Sequence, residues 1–444
     1  MAAQAGRRAM GAWRSPITAE VVVKGAGAQP GKAPDVRLAG AALAPDGRAY
    51  WLEQRPGEGG RSVIVGPGGE DLTPAGAWDC RTLVHEYGGG AWKVLDDSAV
   101  FSDFRSQRVF QQPLEGGEPS PLTPDVPDRA LRFADFALDR RRSRLLCVME
   151  DHRGEGEAKN SLAAIPLDGS CAEPTVLAAG FDFYAAPSLS LDGRRLAYMT
   201  WNHPAMPWTE TQIRVADLGD DGVPATTSTE AHGVVAGGPG KPEAPQQPQW
   251  TPNGDLVYVN DAGSGGWWNL WRHSFSSGTS ANLLPLDAEF GGPLWRLGME
   301  TFAVLGDDRF LVGFSPPASS GKTLAVLEGG KLEELACPYA TFGSMSVAQG
   351  EGGDLIAVIG GSADAASQVA VRSPAGDWEV LKRASELEMD HLQKFLTSPR
   401  KIQFPAGGRT SHMVRHRSSS TSRRATRARG TDTHTFRVVL PSTQ

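Results

Sequence analysis

The chain has few cysteines and no long apolar run. Its 444 residues contain four cysteines, which lie far apart without Cys-x-x-Cys spacing: Cys80, Cys147, Cys171 and Cys337. This pattern argues against a zinc site or a dense disulfide framework, so we expect a reducing compartment, the cytoplasm. No stretch approaches the roughly 18 consecutive apolar residues of a membrane-spanning helix, and we therefore expect no contact with a membrane.

The beginning of the chain lacks the apolar core of a signal peptide. Residues 1–19 contain three arginines and no acidic residue. We interpret them as a flexible N-terminus. A transit segment for a plastid or other organelle is the alternative interpretation, since such segments are basic and poor in acids.

Common catalytic and cofactor motifs are missing as well. No serine stands in a Gly-x-Ser-x-Gly elbow, the strand-to-helix turn that exposes a hydrolase nucleophile. His85-Glu86 has no second histidine at zinc-helix spacing, and the glycines after Tyr87 lack the Gly-x-Gly-x-x-Gly spacing of a nucleotide site. We interpret the acidic cluster Glu150-Asp151-His152 as a solvated turn rather than a metal site. The sequence thus predicts no catalytic residue, no metal and no cofactor.

Positive charge is scarce outside the C-terminal segment. Lys401 to Gln444 carries nine basic residues and one acid, although the whole chain has a net charge of −7. The remainder is therefore strongly acidic, and repulsion from phosphate makes it a poor partner for nucleic acid.

Glycine and proline, in contrast, are abundant. The 53 Gly and 32 Pro exclude a helical protein and indicate many short strands joined by turns. One pattern recurs, a turn of Asp or Asn with Gly followed by a short apolar strand, as in Asp46-Gly47, Asp192-Gly193 and Asn253-Gly254. Weaker copies bring the number of turns to seven, anchored on residues 46, 97, 139, 192, 253, 307 and 353.

The spacing of these turns predicts the fold. Successive anchors are separated by about 40–60 residues, close to the length of a four-stranded propeller blade with loop insertions. Asp-Gly turns occur in any β-rich protein, but seven at near-regular spacing favour a propeller over a sandwich or an irregular barrel. We predict an all-β, seven-bladed β-propeller of four-stranded antiparallel blades over residues 20–383. Its first and last blades should share or adjoin one another, near residues 20–50 and 367–400.

A different organisation follows the seventh turn. Ser385 and Glu388 form a capping pattern ahead of apolar residues at helical spacing, which predicts a short C-terminal helix that Pro399 ends. We assign residues 384–413 to this linker helix and the start of a further domain. Residues 414–444, rich in Arg, Ser and Thr, are predicted to be a disordered basic tail. We interpret it as the result of a frame change, a retained intron or a truncated gene model, and the alternative is a genuine tail with a partner of its own.

Two loops have unusual chemistry. Residues 84–92 place Glu86 and Tyr87 beside three consecutive glycines, and residues 202–208 place His203, Met206 and Trp208 next to two stiffening prolines. One interpretation is packing between blades. The other is that both loops reach the channel or a face of the ring and contact a ligand.

Four longer motifs carry a resemblance to a known family. The segments 83–92 (LVHEYGGGAW), 180–187 (GFDFYAAP), 200–208 (TWNHPAMPW) and 266–271 (GWWNLW) resemble the acylaminoacyl-peptidase and dipeptidyl-aminopeptidase-like branch of the prolyl oligopeptidase family. Residues 287–295 (DAEFGGPLW) fit as well, and the resemblance covers roughly residues 13–413.

The resemblance implies a two-part serine peptidase. In such enzymes an N-terminal propeller restricts access to short peptides, and an α/β-hydrolase domain supplies a Ser-Asp-His triad. Residues 402–412 look like the entry to that domain, but the chain then turns to Arg, Ser and Thr. We therefore expect a non-catalytic, substrate-gating propeller, inactive alone, that meets peptide substrates when joined to a hydrolase domain. Its candidate entrance residues are Glu86, Tyr87, His203, Met206 and Trp208.

The alternative hypothesis is a stand-alone propeller scaffold. Propellers serve many functions, so the ring face of this one could bind proteins or peptides without a hydrolase domain. The sequence predicts no oligomeric state.

Overall fold

The computed structural model describes residues 34–263, 265–316, 319, 321–363, 365–386, 399–406 and 409–416. Within these ranges 27 strands form seven sheets, and two further strands form a separate hairpin. Among the described residues, regular helix is limited to short 3-10 turns at Pro56–Glu58, Pro127–Arg129, Arg140–Arg142 and Thr229–Ala231.

Each sheet is one blade made of consecutive strands. Blade 1 contains β1 (Arg37–Leu43), β2 (Ala49–Arg55) and β3 (Arg61–Val65); blade 2 contains β4 (Trp92–Val94), β5 (Ser98–Ser102), β6 (Val109–Pro113) and β7 (Ser120–Pro121). Blade 3 contains β8 (Leu131–Asp139), β9 (Arg144–Asp151), β10 (Lys159–Pro166) and β11 (Thr175–Ala179); blade 4 contains β12 (Phe183–Leu189), β13 (Arg195–Trp201), β14 (Gln212–Asp217) and β15 (Gly233–Gly237).

The remaining blades repeat this order. Blade 5 contains β16 (Gln246–Trp250), β17 (Leu256–Asn260), β18 (Asn269–Ser274) and β19 (Thr279–Asn282); blade 6 contains β20 (Phe302–Gly306), β21 (Arg309–Phe314), β22 (Thr323–Glu328) and β23 (Lys331–Glu334). Blade 7 contains β24 (Thr341–Gly350), β25 (Gly353–Gly361), β26 (Gln368–Arg372) and β27 (Trp378–Arg383). All pairings within blades are antiparallel, and blade 1 replaces its fourth strand with an isolated bridge from Val65 to Asp71.

The sheets close into a ring. The first strand of each blade contacts the first strand of the next, from β1 through β4, β8, β12, β16, β20 and β24 back to β1. These seven strands therefore surround the central channel. The predicted seven-bladed propeller is confirmed. Its core lies between the blades, where large side chains such as Trp51, Tyr184 and Tyr258 are fully buried.

The seven predicted turns occupy equivalent places. Each anchor lies in or directly beside the turn that joins the first and second strands of its blade, as Asp46 does between β1 and β2 and Asn253 between β16 and β17. Because strands alternate in direction, all seven turns lie on one face of the ring, which we call the hairpin face. The connections between blades, and those between second and third strands, lie on the opposite face.

The ring closes without a shared strand among the described residues. The backbone N–H of Val36, just before β1, donates to the carbonyl of Ala384, just after β27, at 2.9 Å. The Ser344 hydroxyl accepts from the N–H of Ala41 at 2.9 Å and donates to its carbonyl, and Ser346 accepts from the N–H of Leu43 at 2.9 Å. The first and last blades thus adjoin, and both ends of the propeller lie on the face opposite the hairpins, which we call the terminal face.

Side chains from bulges in the inner strands link several neighbouring blades. Asp135, Gln247 and Ser344 have left-handed backbone, with φ of 60°, 56° and 52°, and each stands at a register shift. Asp135 accepts from the N–H of Ala186 in the next blade at 2.7 Å, and Gln247 accepts from the N–H of Thr301 at 2.8 Å. The bulges thus direct side chains of the inner strands toward the neighbouring blade, where they form hydrogen bonds.

Beyond the propeller, strands β28 (Pro399–Ala406) and β29 (Arg409–His416) pair as an antiparallel hairpin. The predicted helix after Ser385 falls almost wholly on residues 387–398, outside the described ranges, as do residues 1–33 and 417–444 of the predicted termini. In the part of the chain that the structure describes, no helix has the length and apolar character needed to span a membrane.

Candidate functional site

The glycine-rich loop before β4 lies on the terminal face, where it connects blades 1 and 2. His85 and Glu86 adopt left-handed backbone, with φ of 52° and 61°. The N–H of Glu86 donates to the carbonyl of Leu83 at 2.9 Å, and the N–H of Gly88 donates to the carbonyl of Val84 at 3.0 Å. The resulting tight turn leaves the side chains of Glu86 and Tyr87 exposed, Tyr87 to 69%.

The consecutive glycines are required by close backbone contacts. A Cβ on Gly89 (φ 93°) would lie 2.3 Å from the carbonyl oxygen of Leu297, and one on Gly90 (φ 59°) would lie 2.9 Å from the amide nitrogen of Asp135. Gly90 also accepts a hydrogen bond from that amide at 2.8 Å. Any larger residue would displace the loop from the ring.

A buried carboxylate holds this loop in place. Glu150 on β9 is 5% exposed and accepts hydrogen bonds from the N–H of His85 at 2.7 Å and from the Arg132 guanidinium at 3.0 Å. His152 Nε2 contacts the same carboxylate. The expectation of a solvated turn at residues 150–152 is wrong for Glu150. Its carboxylate is buried, and the three groups that contact it compensate for the loss of water.

Aromatic rings connect the glycine-rich loop to the loop between β13 and β14. The His85 ring meets the edge of Phe183 at 5.1 Å between centroids, and Phe183 stacks on Trp201 at 5.2 Å and contacts His203 at 4.9 Å. We call these four residues the Phe183 cluster. Burial lowers the pKa of His85, which keeps its imidazole neutral near pH 7.

The second predicted loop is fixed by backbone hydrogen bonds. The carboxylate of Asp182 accepts from the N–H of His203 at 2.8 Å, while the N–H of Asp182 donates to the side chain of Asn202 at 2.7 Å. The N–H of Met206 donates to the Thr209 hydroxyl at 2.9 Å. These contacts hold Met206 with 43% of its surface exposed.

A tryptophan pair completes the surface. Trp208 packs against Trp295, from the connection between blades 5 and 6, with centroids 4.4 Å apart. Trp295 is 53% exposed. Large apolar side chains exposed together are uncommon on a protein surface and mark interaction sites.

The structure therefore places all five sequence-predicted residues on the terminal face. Phe183 connects the two loops that carry these residues, and the side chains of Glu86 and Tyr87 are exposed to solvent. Sequence reasoning overlooked Phe183 and Trp295, although both stand inside the motifs that carry the family resemblance. The partnership of Glu150 with His85 had no local signal, since the two residues are 65 positions apart.

Charged residues from distant blades meet in the central channel. Lys93 lies on β4, Asp135 on β8 and Glu300 just before β20. Desolvation by the surrounding walls of the channel raises the pKa of Asp135 and of Glu300. The Lys93 charge opposes both increases, and the Asp135 charge raises the pKa of Glu300 further. Among the residues described, no group of three or more His, Cys, Asp or Glu could hold a metal ion.

Comparison with known proteins identifies the propeller. A puromycin-hydrolyzing peptidase of Mycobacterium tuberculosis is 32% identical, with a TM-score of 0.76 over 90% of this chain, and a puromycin hydrolase is 30% identical with the same TM-score. Prolyl oligopeptidase B from Galerina marginata, 12% identical with a TM-score of 0.57 over 86% of this chain and 55% of its own, shares the fold. No family model and no curated protein matches the chain.

The chain spans 60% of the length of the two puromycin hydrolases. Its fold and its matches define the class: a seven-bladed propeller of the kind that forms the N-terminal part of peptidases. The propeller matches the N-terminal propeller part of peptidases of the prolyl oligopeptidase family.

Proposed function

We propose that this chain is the non-catalytic, substrate-gating propeller of an acylaminoacyl-peptidase-like serine peptidase. The observation that carries the proposal is the position of three aromatic residues, of which Tyr87 and Trp295 are exposed and Trp208 is partly buried. Tyr87, Trp208 and Trp295 lie on the face where the chain leaves the propeller after β27. A hydrolase domain continuing from that point would meet this face, and peptides would pass between them.

Two further observations support the proposal. The paired strands β28 and β29 include most of residues 402–412, which by resemblance are the entry to a hydrolase domain, and a strand there supports the proposal. All four cysteines are free, which suits a reducing compartment, and we propose the cytoplasm.

The first experiment measures the activity of the chain alone. We expect no hydrolysis of chromogenic N-acyl-aminoacyl or aminoacyl anilides, because the chain contains no Gly-x-Ser-x-Gly elbow. Residues 1–413 fused to the hydrolase domain of the Mycobacterium tuberculosis peptidase should gain peptide hydrolysis. Turnover by the highly purified chain alone, or a folded chimera whose activity equals that of the hydrolase domain without a propeller, would contradict the proposal.

The second experiment tests the entrance residues in that chimera. Glu86→Gln, Tyr87→Ala, His203→Ala, Met206→Ala and Trp208→Ala should raise the KM for peptides several-fold, because these side chains face the peptide path. Leu191→Ala is the matched control, since Leu191 is 78% exposed but lies on the hairpin face. Unchanged KM in all five variants would reject the role assigned to them. Peptide binding by the chain in the absence of any hydrolase domain would instead favour a stand-alone scaffold.

A further inference from the structure

One connection crosses the centre of the ring. Residues 291–299, between β19 and β20, form a segment that we call the strap. Leu297 makes a parallel bridge with Gly89, and its N–H donates to the carbonyl of Gly88 at 3.1 Å. The strap belongs to the connection into blade 6 and the glycines to the connection into blade 2. These blades are not neighbours in a seven-membered ring, so the link spans the channel.

The strap is anchored along its length. Gly291 packs against Trp268, and Trp295 contacts Trp208. Leu294 and Leu297 are 7% and 5% exposed and belong to the core cluster that contains Tyr184 and Trp201 of blade 4. Gly298 lies so close to Gly90 that a Cβ on it would be 2.8 Å from the Gly90 Cα. Apolar burial and backbone contact thus hold the strap against three blades.

The channel continues beyond the strap. Lys93 stands three residues after Gly90 on β4, farther from the terminal face, and its charge acts on Asp135 and Glu300. Side chains from blades 2 and 3, and from the connection into blade 6, therefore meet behind the strap. The side chains of Lys93 and Glu300 have accessible surface, so the space behind the strap is wide enough to hold water.

We propose that the strap bars the terminal-face end of the central channel, so that ligands reach the terminal face from its rim and not through the ring. This inference is independent of the proposed function, because it concerns the propeller alone and its test requires no peptidase activity. If both hold, peptide selection occurs at the rim beside Trp208 and Trp295.

The test uses a thiol placed behind the strap. Lys93→Cys is made with Cys171→Ser and Cys337→Ser, which leaves only the buried Cys80 and Cys147 besides the probe site. The rate of reaction with N-ethylmaleimide is then compared with and without Gly89→Ala. The added methyl collides with the Leu297 carbonyl and pushes the strap away.

Gly69→Ala is the matched control. Gly69 has φ of 86°, similar to the 93° of Gly89, but a Cβ there meets nothing within 4 Å. Both substitutions impose the same backbone strain, and only one displaces the strap. We expect labelling of Lys93→Cys to be at least about tenfold faster with Gly89→Ala and unchanged with Gly69→Ala. Equal rates in all three proteins would overturn the proposal.

Hydrogen exchange of the unmodified protein gives a second test, which holds even if Gly89→Ala does not fold. The Leu297 amide should exchange orders of magnitude more slowly than an unprotected peptide, because it donates across the channel. Exchange of this amide at the unprotected rate would show that the strap is open, and would overturn the proposal.

Discussion

At the scale of single residues, burial decides which histidines this fold keeps neutral. His232 is 7% exposed; its Nε2 lies 2.9 Å from the Thr226 carbonyl and its Nδ1 lies 2.6 Å from the Tyr198 hydroxyl. A carbonyl accepts only, so Nε2 carries the proton and Nδ1 accepts from Tyr198. Burial, and the nearby Arg214 charge, lower the pKa of this imidazole.

This tautomer predicts destabilisation in acid. The unfolded chain takes up a proton on His232 near pH 6.5, while the folded state resists it to lower pH. Stability is therefore fully present above about pH 6.5 and falls below it, by up to about 1.4 kcal/mol per pH unit for this group, until its folded pKa is reached. His232→Gln should flatten the profile measured by urea unfolding between pH 7 and 5. His203→Gln, at an exposed position, is the control; an unaltered slope in His232→Gln would refute the argument.

At the scale of elements, hydrogen bonds from inner strands replace strand sharing between blades 7 and 1. The Ser344 hydroxyl bonds both backbone groups of Ala41, which is 6% exposed, and Ser346 bonds the N–H of Leu43. These two serines act where many propellers rely on a strand exchanged between the first and last blades.

Removing one hydroxyl should weaken the ring measurably. Ser344→Ala leaves the N–H and carbonyl of Ala41 without this partner, a loss of about 1–3 kcal/mol in the free energy of unfolding. Ser277→Ala, whose hydroxyl contacts Thr279 in an exposed turn, should cost less than about 0.5 kcal/mol. Equal unfolding midpoints in guanidinium for the two variants would show that these bonds do not hold the seam.

Some turns of this fold could be predicted from the sequence, whereas its bulges and its strap could not. Three of the seven turns were predictable because an Asp-Gly or Asn-Gly pair determines its backbone locally, and the four weaker copies followed from the spacing. The bulges at Asp135 and Gln247 were not predictable, since left-handed backbone at those residues is stabilised by contacts with other blades. The strap was equally hidden, because the contact between Gly89 and Leu297 depends on ring closure over 200 residues of chain.

At the scale of the whole molecule, the ring is complete only when β1 fills the place between blades 7 and 2. β1 contacts β24, β25 and β26 on one side and β4 on the other. Ala41 and Trp51 of blade 1 share a core cluster with Val369 of blade 7. The contacts of the first blade therefore stabilise blades 7 and 2 as well as blade 1.

Deletion of the first strand should open the ring. A chain that begins at residue 34 retains every described strand and should melt cooperatively. A chain that begins at residue 44 lacks β1, exposes the inner surface of blade 7, and should melt at least about 10 °C lower with faster proteolysis of blade 7. Matching melting curves for the two chains, recorded by circular dichroism, would mean that closure at this seam contributes little.

The hydrogen bond from Val36 to Ala384 places the two ends of the propeller side by side, which makes the domain suitable for circular permutation. Since its two ends are adjacent, a short linker could join them, and the chain could be reopened at any of the seven hairpin turns. Such circular permutants would present their new termini on the opposite side of the disc while leaving the strap and the tryptophan pair untouched. The same blades could then carry a fused domain on either side.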